Sequence, residues 1–296
     1  MSLKSLIDNP EEVLTSWPRE PRRYHRDPVA FEHLLTLTNV DRLINSDCLA
    51  TRNVSLLQDS KILERSSYAD GDMPRQGALR GHLDSGGTIS LRALETLIPS
   101  IAELYRELQD ETGYGVHVNA YLTPAGAQGL KYHYDPYVTL ILQLSGSKAW
   151  PVHDPFVTNP VLEYGSYHTN GFTEEQLHFL ANTPPKATYT LEPGDVFWLP
   201  RGYLHSPYTV GDEPSLHLTV AFKERTYHWV AEQLAQEVLA QALVDPAMRE
   251  EVQPVAVTAD PGEVIHQMRS YLIGALLKLD EDETAGRVLK AARPGS

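Results

Sequence analysis

The stretch that decides the fold is KYHYDPYVTLILQLSGSKAW, residues 131–150. Residues 138–144 are apolar and rich in branched side chains, Ser145-Gly146-Ser147 is a turn, and 147–153 reads as a return strand. His133 and Asp135 stand in front of this hairpin, two positions apart. On a strand, residues i and i+2 point to one face, so one imidazole and one carboxylate can meet a single metal ion. With unbroken register His133, Asp135, Tyr137, Thr139, Ile141 and Gln143 share that face. A plainer reading of the same residues has Asp135 capping a turn before Pro136 and no ion at all.

Outward from this stretch the strand pattern continues. In GVHVNAYLTP, from Gly115, His117, Asn119 and Tyr121 alternate with Val116, Val118 and Leu122. Further strands are expected at 186–191, 195–199 and 215–222, separated by Pro-Gly, Gly-Ser and Gly-Asp pairs. Many short strands without alternating helices predict an antiparallel sandwich or barrel, a mainly β fold with flanking helices. Residues 1–50 read as helices interrupted by the Pro- and Arg-rich arm 17–28, with helical spacing over 31–44. The Gly-, Ser- and Asp-rich segment 66–89 reads as a long loop, a candidate for the substrate entrance. A helix is expected from about Leu91 to Leu108, with Leu94, Leu97, Ile101 and Leu104 as its apolar stripe. After Lys223 helical stripes return, Val230-Leu234-Val238-Leu239 and then Ile265-Met268-Leu272-Leu276. Those helices can cover the barrel, pair with a second copy, or both.

The 296 residues suit one large domain with an appendage. Net charge is −14, from 39 acidic and 25 basic residues, which argues against a general nucleic-acid binder. The one cysteine, Cys48, excludes an internal disulfide and a Cys-based zinc site. The start of the chain is too charged for a signal peptide, and no apolar run is long enough to span a membrane. The expectation is a cytoplasmic chain without membrane contact.

The third candidate ligand is His205 in LEPGDVFWLPRGYLHSP (191–207), on another strand. Two His and one carboxylate form a facial triad suited to Fe(II), with three positions open for a bidentate keto acid and dioxygen. Lys148 follows the Gly146 turn. If buried, its ammonium needs an anionic partner, such as the distal carboxylate of 2-oxoglutarate; otherwise it is a surface lysine on a hairpin. In SLHLTVAF (215–222), Ser215, His217 and Thr219 share the polar face, and His217 reads as a pocket residue rather than a ligand.

Taken in order, N-x-Y-x-T-P (119–124), H-x-D (133–135), the Gly-x-Lys-x-Trp hairpin (146–150), G-D-x-x-x-x-P-R-G-x-x-H (194–205) and S-L-H-L-T (215–219) resemble the JmjC-type cupin oxygenases. The ribosomal-oxygenase branch is the nearest in pattern. The resemblance implies a double-stranded β-helix (cupin, jelly-roll) over 85–225, with an N-terminal helical and strand region, 1–84, packed on it. The helical segment 226–296 follows, where the family carries a dimerisation region and then a winged helix; the latter is expected to be missing. It implies His133, Asp135 and His205 as iron ligands and Lys148 as the 2-oxoglutarate anchor. Asn119, Ser215 and Thr139 are expected to line the co-substrate, and Tyr121 and His217 the substrate pocket.

The function expected is an Fe(II)- and 2-oxoglutarate-dependent dioxygenase that hydroxylates an amino-acid side chain. Its substrate would be a protein, a peptide or a free amino acid, and its C-terminal helices would suit a homodimer. Two alternatives stay open: a cupin metalloenzyme that does not use 2-oxoglutarate, and a non-catalytic metal-stabilised binding protein.

Overall fold

A computed structural model describes residues 1–46, 48–58, 61–259 and 261–292. By its internal contacts the chain divides into two units, one of residues 1–112 and 116–223, the other of 113–115 and 224–296.

The first unit contains all the strands. They are β1 (Arg22–His25), β2 (Val54–Gln58), β3 (Lys61–Ile62), β4 (Ala69–Asp70), β5 (Met73–Pro74), β6 (Thr88–Leu91) and β7 (Gly115–Thr123). Then come β8 (Val138–Ser145), β9 (Ser147–His153), β10 (Ala187–Leu191), β11 (Asp195–Leu199), β12 (Leu204–His205), β13 (Tyr208–Val210) and β14 (Ser215–Lys223). Eight of them form one sheet in the order β1-β11-β8-β14-β7-β6-β2-β3. A second sheet runs β10-β9-β12, with β13 also paired to β9. Their named pairings are antiparallel. The expected strands at 138–144, 147–153, 186–191, 195–199 and 215–222 are present to within a residue or two.

Period-two alternation divides β8 and β11 of the large sheet between two cores. Leu140, Leu142, Leu218 and Val220 join a core that includes Leu3 and Leu6 of helix α1 (Leu3–Leu6). Val40 and Ile44 of the helix Leu37–Asn45 and Ile101, Leu104 and Leu108 of the helix Pro99–Thr112 belong to the same core. The intervening Ile141, with Phe197 and Leu199, meets Trp150, Val152 and Leu191 of the small sheet in a second cluster. Each fully buried side chain of this kind contributes about 1.5–3 kcal/mol.

Gly146 lets β8 turn directly into β9 and so change sheets. Its φ is +60°, and a Cβ there would lie 2.3 Å from the carbonyl oxygen of Pro214. Gln143 fastens this corner, its Nε2 donating to the carbonyls of Ser145 (2.9 Å) and Gly146 (3.0 Å) and to Ser215 Oγ (2.9 Å).

Four expectations are corrected. The helix expected from about Leu91 to Leu108 is not continuous: β6 ends at Leu91, Ala93 takes a left-handed conformation (φ 53°), and the helix begins only at Pro99. Leu97 consequently leaves the apolar stripe and is exposed, while Leu94, Ile101 and Leu104 are buried. Segment 66–89 is no open loop; it holds the β4–β5 hairpin, a helix at Ala78–Asp84 and the start of β6. The arm 17–28 contains β1, an edge strand on β11, and the helix expected over 31–44 begins only at Leu37.

The second unit is helical: Tyr227–Val244, Pro254–Thr258, Pro261–Leu276 and Glu281–Ala292. Arg225 ties its two ends together. Its guanidinium donates to the Ala292 carbonyl (2.8 Å) and lies 4.7 Å from the Trp229 ring centroid. The stripe of Ile265, Met268, Leu272 and Leu276 is exposed. Among the described residues no helix is long and apolar enough to cross a membrane.

Gly146→Ala should lose about 2 kcal/mol or more, from backbone strain at positive φ together with the collision at Pro214. Urea unfolding of the two proteins would measure it.

Candidate metal centre

The segment in front of β8 is not a continuation of that strand. Residues 134–137 bend away, and His133 forms an isolated antiparallel bridge with His205. The His133 amide donates to the His205 carbonyl (3.1 Å), and the His205 amide returns the bond (2.9 Å). The expected unbroken register from His133 to Gln143 is therefore also corrected. Tyr137 turns to an edge-on contact with His117, and Gln143 serves the Gly146 corner. What brings the two imidazoles together is the cross-chain bridge, with ring centroids 4.2 Å apart. Asp135 enters beside them, its Oδ2 3.7 Å from His205 Nε2. One ligand atom from each of His133, Asp135 and His205 lies within 4.8 Å of the others.

Both imidazoles are held in one tautomer. His133 Nδ1 lies 2.8 Å from the Lys131 carbonyl oxygen, and His205 Nδ1 lies 2.9 Å from that of Tyr203. A carbonyl only accepts, so each Nδ1 carries the proton and each Nε2 keeps its lone pair. Burial lowers the His205 pKa, partly opposed by Asp135, which favours the neutral ligand form. Two neutral imidazoles and one carboxylate, with no thiolate, suit Fe(II), Mn(II) or Co(II) better than a structural zinc site.

The three groups open onto a cavity of about 230 Å³ between the two sheets. Its walls are pairs of residues two apart: Ser55 and Leu57 on β2, Thr88 and Ser90 on β6, Asn119 and Tyr121 on β7, Thr139 and Ile141 on β8, and His217 and Thr219 on β14. From the small sheet come Lys148 and Trp150 on β9 and His205 on β12. The pattern follows from the pleat, which sends alternate residues to one face.

Lys148 is 1% exposed, and its Nζ donates to Thr123 Oγ1 at 2.8 Å. Burial pushes its ammonium down to about 7. No carboxylate other than that of Asp135 lines the cavity among the described residues. In its ammonium form the lysine is a buried cationic pole, and its one hydrogen bond among the described residues is to a hydroxyl. An anion of small size would fit there. His217 is buried, stacked on Tyr121 (5.2 Å between centroids, 10° between planes) and edge-on to Trp150 (5.4 Å). Its Nδ1 is buried without a hydrogen-bond partner among the described residues. Burial first, and then the Lys148 charge, hold His217 well below the usual histidine range.

Of the predicted site residues, His133, Asp135, His205, Lys148, Asn119, Thr139, Tyr121 and His217 meet at this cavity. Asn119 also accepts a hydrogen bond from the Ala93 amide (3.1 Å). Ser215 does not reach the cavity wall; it bonds to Gln143 at the turn. The register of β14 against β8 shifts between Leu216 and His217, so the simple alternation from Ser215 to His217 does not hold. Sequence reasoning missed Thr123, Trp150, Arg92 and the β2 and β6 pairs. Residues 88–92 fell where loop meets expected helix, and VSLLQ (54–58) shows no polar-apolar alternation to mark a wall.

Two facing antiparallel sheets around one cavity, closed by a His–His bridge, define a cupin of double-stranded β-helix type. Residues 96–230 match the model of the JmjC domain. The chain is 39% identical over 140 residues to the bifunctional lysine-specific demethylase and histidyl-hydroxylase NO66 of Dictyostelium discoideum, covering 47% of this chain and 26% of that protein. It is 27% identical over 226 residues to ribosomal oxygenase 1 of Gallus gallus, covering 73% of this chain and 35% of the relative. The chain thus spans about a quarter to a third of the length of these relatives. In fold it resembles Escherichia coli YcfD, a ribosomal oxygenase solved with cobalt and 2-oxoglutarate. That match has a TM-score of 0.55 at 15% identity and covers 94% of this chain and 68% of YcfD.

His133→Ala and Asp135→Ala should each abolish tight Co(II) binding, measured by visible absorption titration, while far-ultraviolet circular dichroism stays unchanged. Retained stoichiometric binding in both would rule out this cluster as the metal site.

Proposed function

We propose that this chain is an Fe(II)- and 2-oxoglutarate-dependent oxygenase that hydroxylates a side chain in a protein or peptide. The observation that carries the reading is the placement of buried Lys148 in the same small cavity as His133, Asp135 and His205. A metal-binding triad alone would fit many cupins. A buried ammonium facing the same cavity adds the complement of a dicarboxylate.

On this reading His133, Asp135 and His205 hold the ion through two Nε2 atoms and one carboxylate. When bound, Fe(II) supplies the redox chemistry that couples dioxygen and oxidative decarboxylation of the keto acid to C–H hydroxylation. The chain supplies position and a dry site. Lys148, in its charged form and steadied by Thr123, holds the distal carboxylate. Thr139 and Asn119 line the same wall, and Trp150, Ile141 and Leu57 exclude water. Tyr121 and His217 are placed to border the substrate. The relatives' names point to histidyl hydroxylation or to a ribosomal substrate, and the net charge of −14 suits a basic polypeptide. The barrel (85–225) with its N-terminal region (1–84) would be the catalytic part. The exposed apolar stripe of Ile265, Met268, Leu272 and Leu276 in the helical segment 226–296 would pair two copies, in keeping with a cytoplasmic homodimer.

Anaerobic titration with 2-oxoglutarate should show binding that requires Mn(II) or Fe(II) and weakens about 100-fold in Lys148→Ala, as expected when a buried charge-assisted pair is lost. Its pH dependence has a definite sign. Burial alone pushes the lysine down to about 7, and a bound dicarboxylate stabilises the ammonium and raises that pKa. Binding above pH 7 therefore takes up a proton, and affinity falls as pH rises, by up to about tenfold per unit. Lys148→Ala should remove that slope. Absence of binding to the metal-loaded chain would instead leave a cupin that does not use 2-oxoglutarate.

A further inference from the structure

Between two of the three ligand residues stands Tyr134, a residue that takes no part in the cavity. Its side chain is 4% exposed and points to the opposite side of the segment from His133 and Asp135. Its hydroxyl donates to the Gly165 carbonyl at 2.8 Å. Its ring lies against Tyr167 (5.8 Å) and Phe172 (6.0 Å). Tyr132 behaves in the same way one step earlier, edge-on to His153 at 5.0 Å. The segment therefore alternates: His133 and Asp135 toward the metal centre, Tyr132 and Tyr134 into an aromatic layer behind it. That layer belongs to the excursion between β9 and β10, and Tyr167 also approaches the His133 ring at 6.2 Å.

The bend at 134–137 makes this anchorage consequential. Beyond the single bridge at His133, no strand pairing fixes residues 134–137. The Gly202 amide donates to the Asp135 carbonyl of this segment (2.9 Å). Tyr134 sits at the midpoint of the two ligands it must keep in register. A rotation of its backbone would turn His133 one way and Asp135 the other.

We infer that Tyr134, through its hydroxyl bond to Gly165, is a positioning residue that sets the relative orientation of His133 and Asp135 and couples the 154–173 excursion to the metal centre. The inference rests on the metal-site reading above. Groups that orient metal ligands from behind are worth about 10–100-fold in metal affinity. Removing this one bond leaves the Gly165 carbonyl without its partner and releases the segment, while the tyrosine's aromatic bulk remains.

The test uses Co(II) as the probe on the full chain, with Tyr134→Phe compared with wild type and with Phe172→Leu. Phe172 lies beside the Tyr134 ring, with centroids 6.0 Å apart, and its own side chain carries no hydrogen-bonding group. Tyr134→Phe should bind Co(II) about tenfold or more weakly and shift its visible d–d bands, which report ligand geometry. Phe172→Leu should lower the thermal midpoint with affinity and bands unchanged. Wild-type affinity and bands in Tyr134→Phe would overturn the inference, and so would an equal loss in Phe172→Leu, which would assign the effect to packing. Failure of wild type itself to bind Co(II) would instead overturn the metal-site reading.

Discussion

Two backbone hydrogen bonds between His133 and His205 hold the rest of the site in relation. They join the segment that precedes β8 to the short strand β12, and so connect the two sheets at the mouth of the barrel. Everything catalytic in the proposed function depends on that closure. It brings together imidazoles 72 positions apart in the sequence without relying on a long strand pairing. Each ring then takes its orientation from a local carbonyl two residues back, Lys131 for one and Tyr203 for the other. Long-range geometry is set by main chain and the tautomer by neighbours, leaving the Nε2 lone pairs for an ion.

The cavity behind the triad is a product of the pleat. Alternate residues of β8 and β14 divide between an apolar core and a cavity wall, so one strand serves stability and chemistry at once. The arrangement tolerates an unusual inhabitant. A lysine as buried as Lys148 is held by a threonine hydroxyl, in surroundings that disfavour its charge. Such a group is unfavourable for folding while the cavity lacks an anion. Its presence is better explained by what the cavity binds than by what keeps the barrel folded.

Much of this was legible in the sequence because strand period and turn residues are local signals. Val138–Ser145, the Gly146 turn and Ser147–His153 could be read as a hairpin, and His-x-Asp with a distant histidine could be read as a metal triad. The triad's geometry was legible for the wrong reason. Strand alternation places His133 and Asp135 on one face, but the structure uses a bend and a bridge instead. Ser215 failed for a related cause, since a register shift beside it is invisible in a list of residues. The β2 and β6 walls were missed because the consecutive leucines of VSLLQ break its alternation and Thr88–Leu91 follows a Gly-rich stretch. Thr123 stands in the N-x-Y-x-T-P motif, but its role could not be read there, because its importance lies in a contact with a residue 25 positions away.

The fixed tautomers of His133 and His205 have a kinetic meaning. In small zinc-binding domains the ligands assemble only as the chain folds, so ion release and unfolding are one event. Here the ligand atoms stand near one another within a barrel whose cores are built from other residues. The Asp135 side chain is 29% exposed at the opening. Ion exchange is therefore separated from the global transition, and a chelator would reach its target through the mouth of a folded molecule. The protein would be a reusable socket, emptied and refilled at the speed of solvent access.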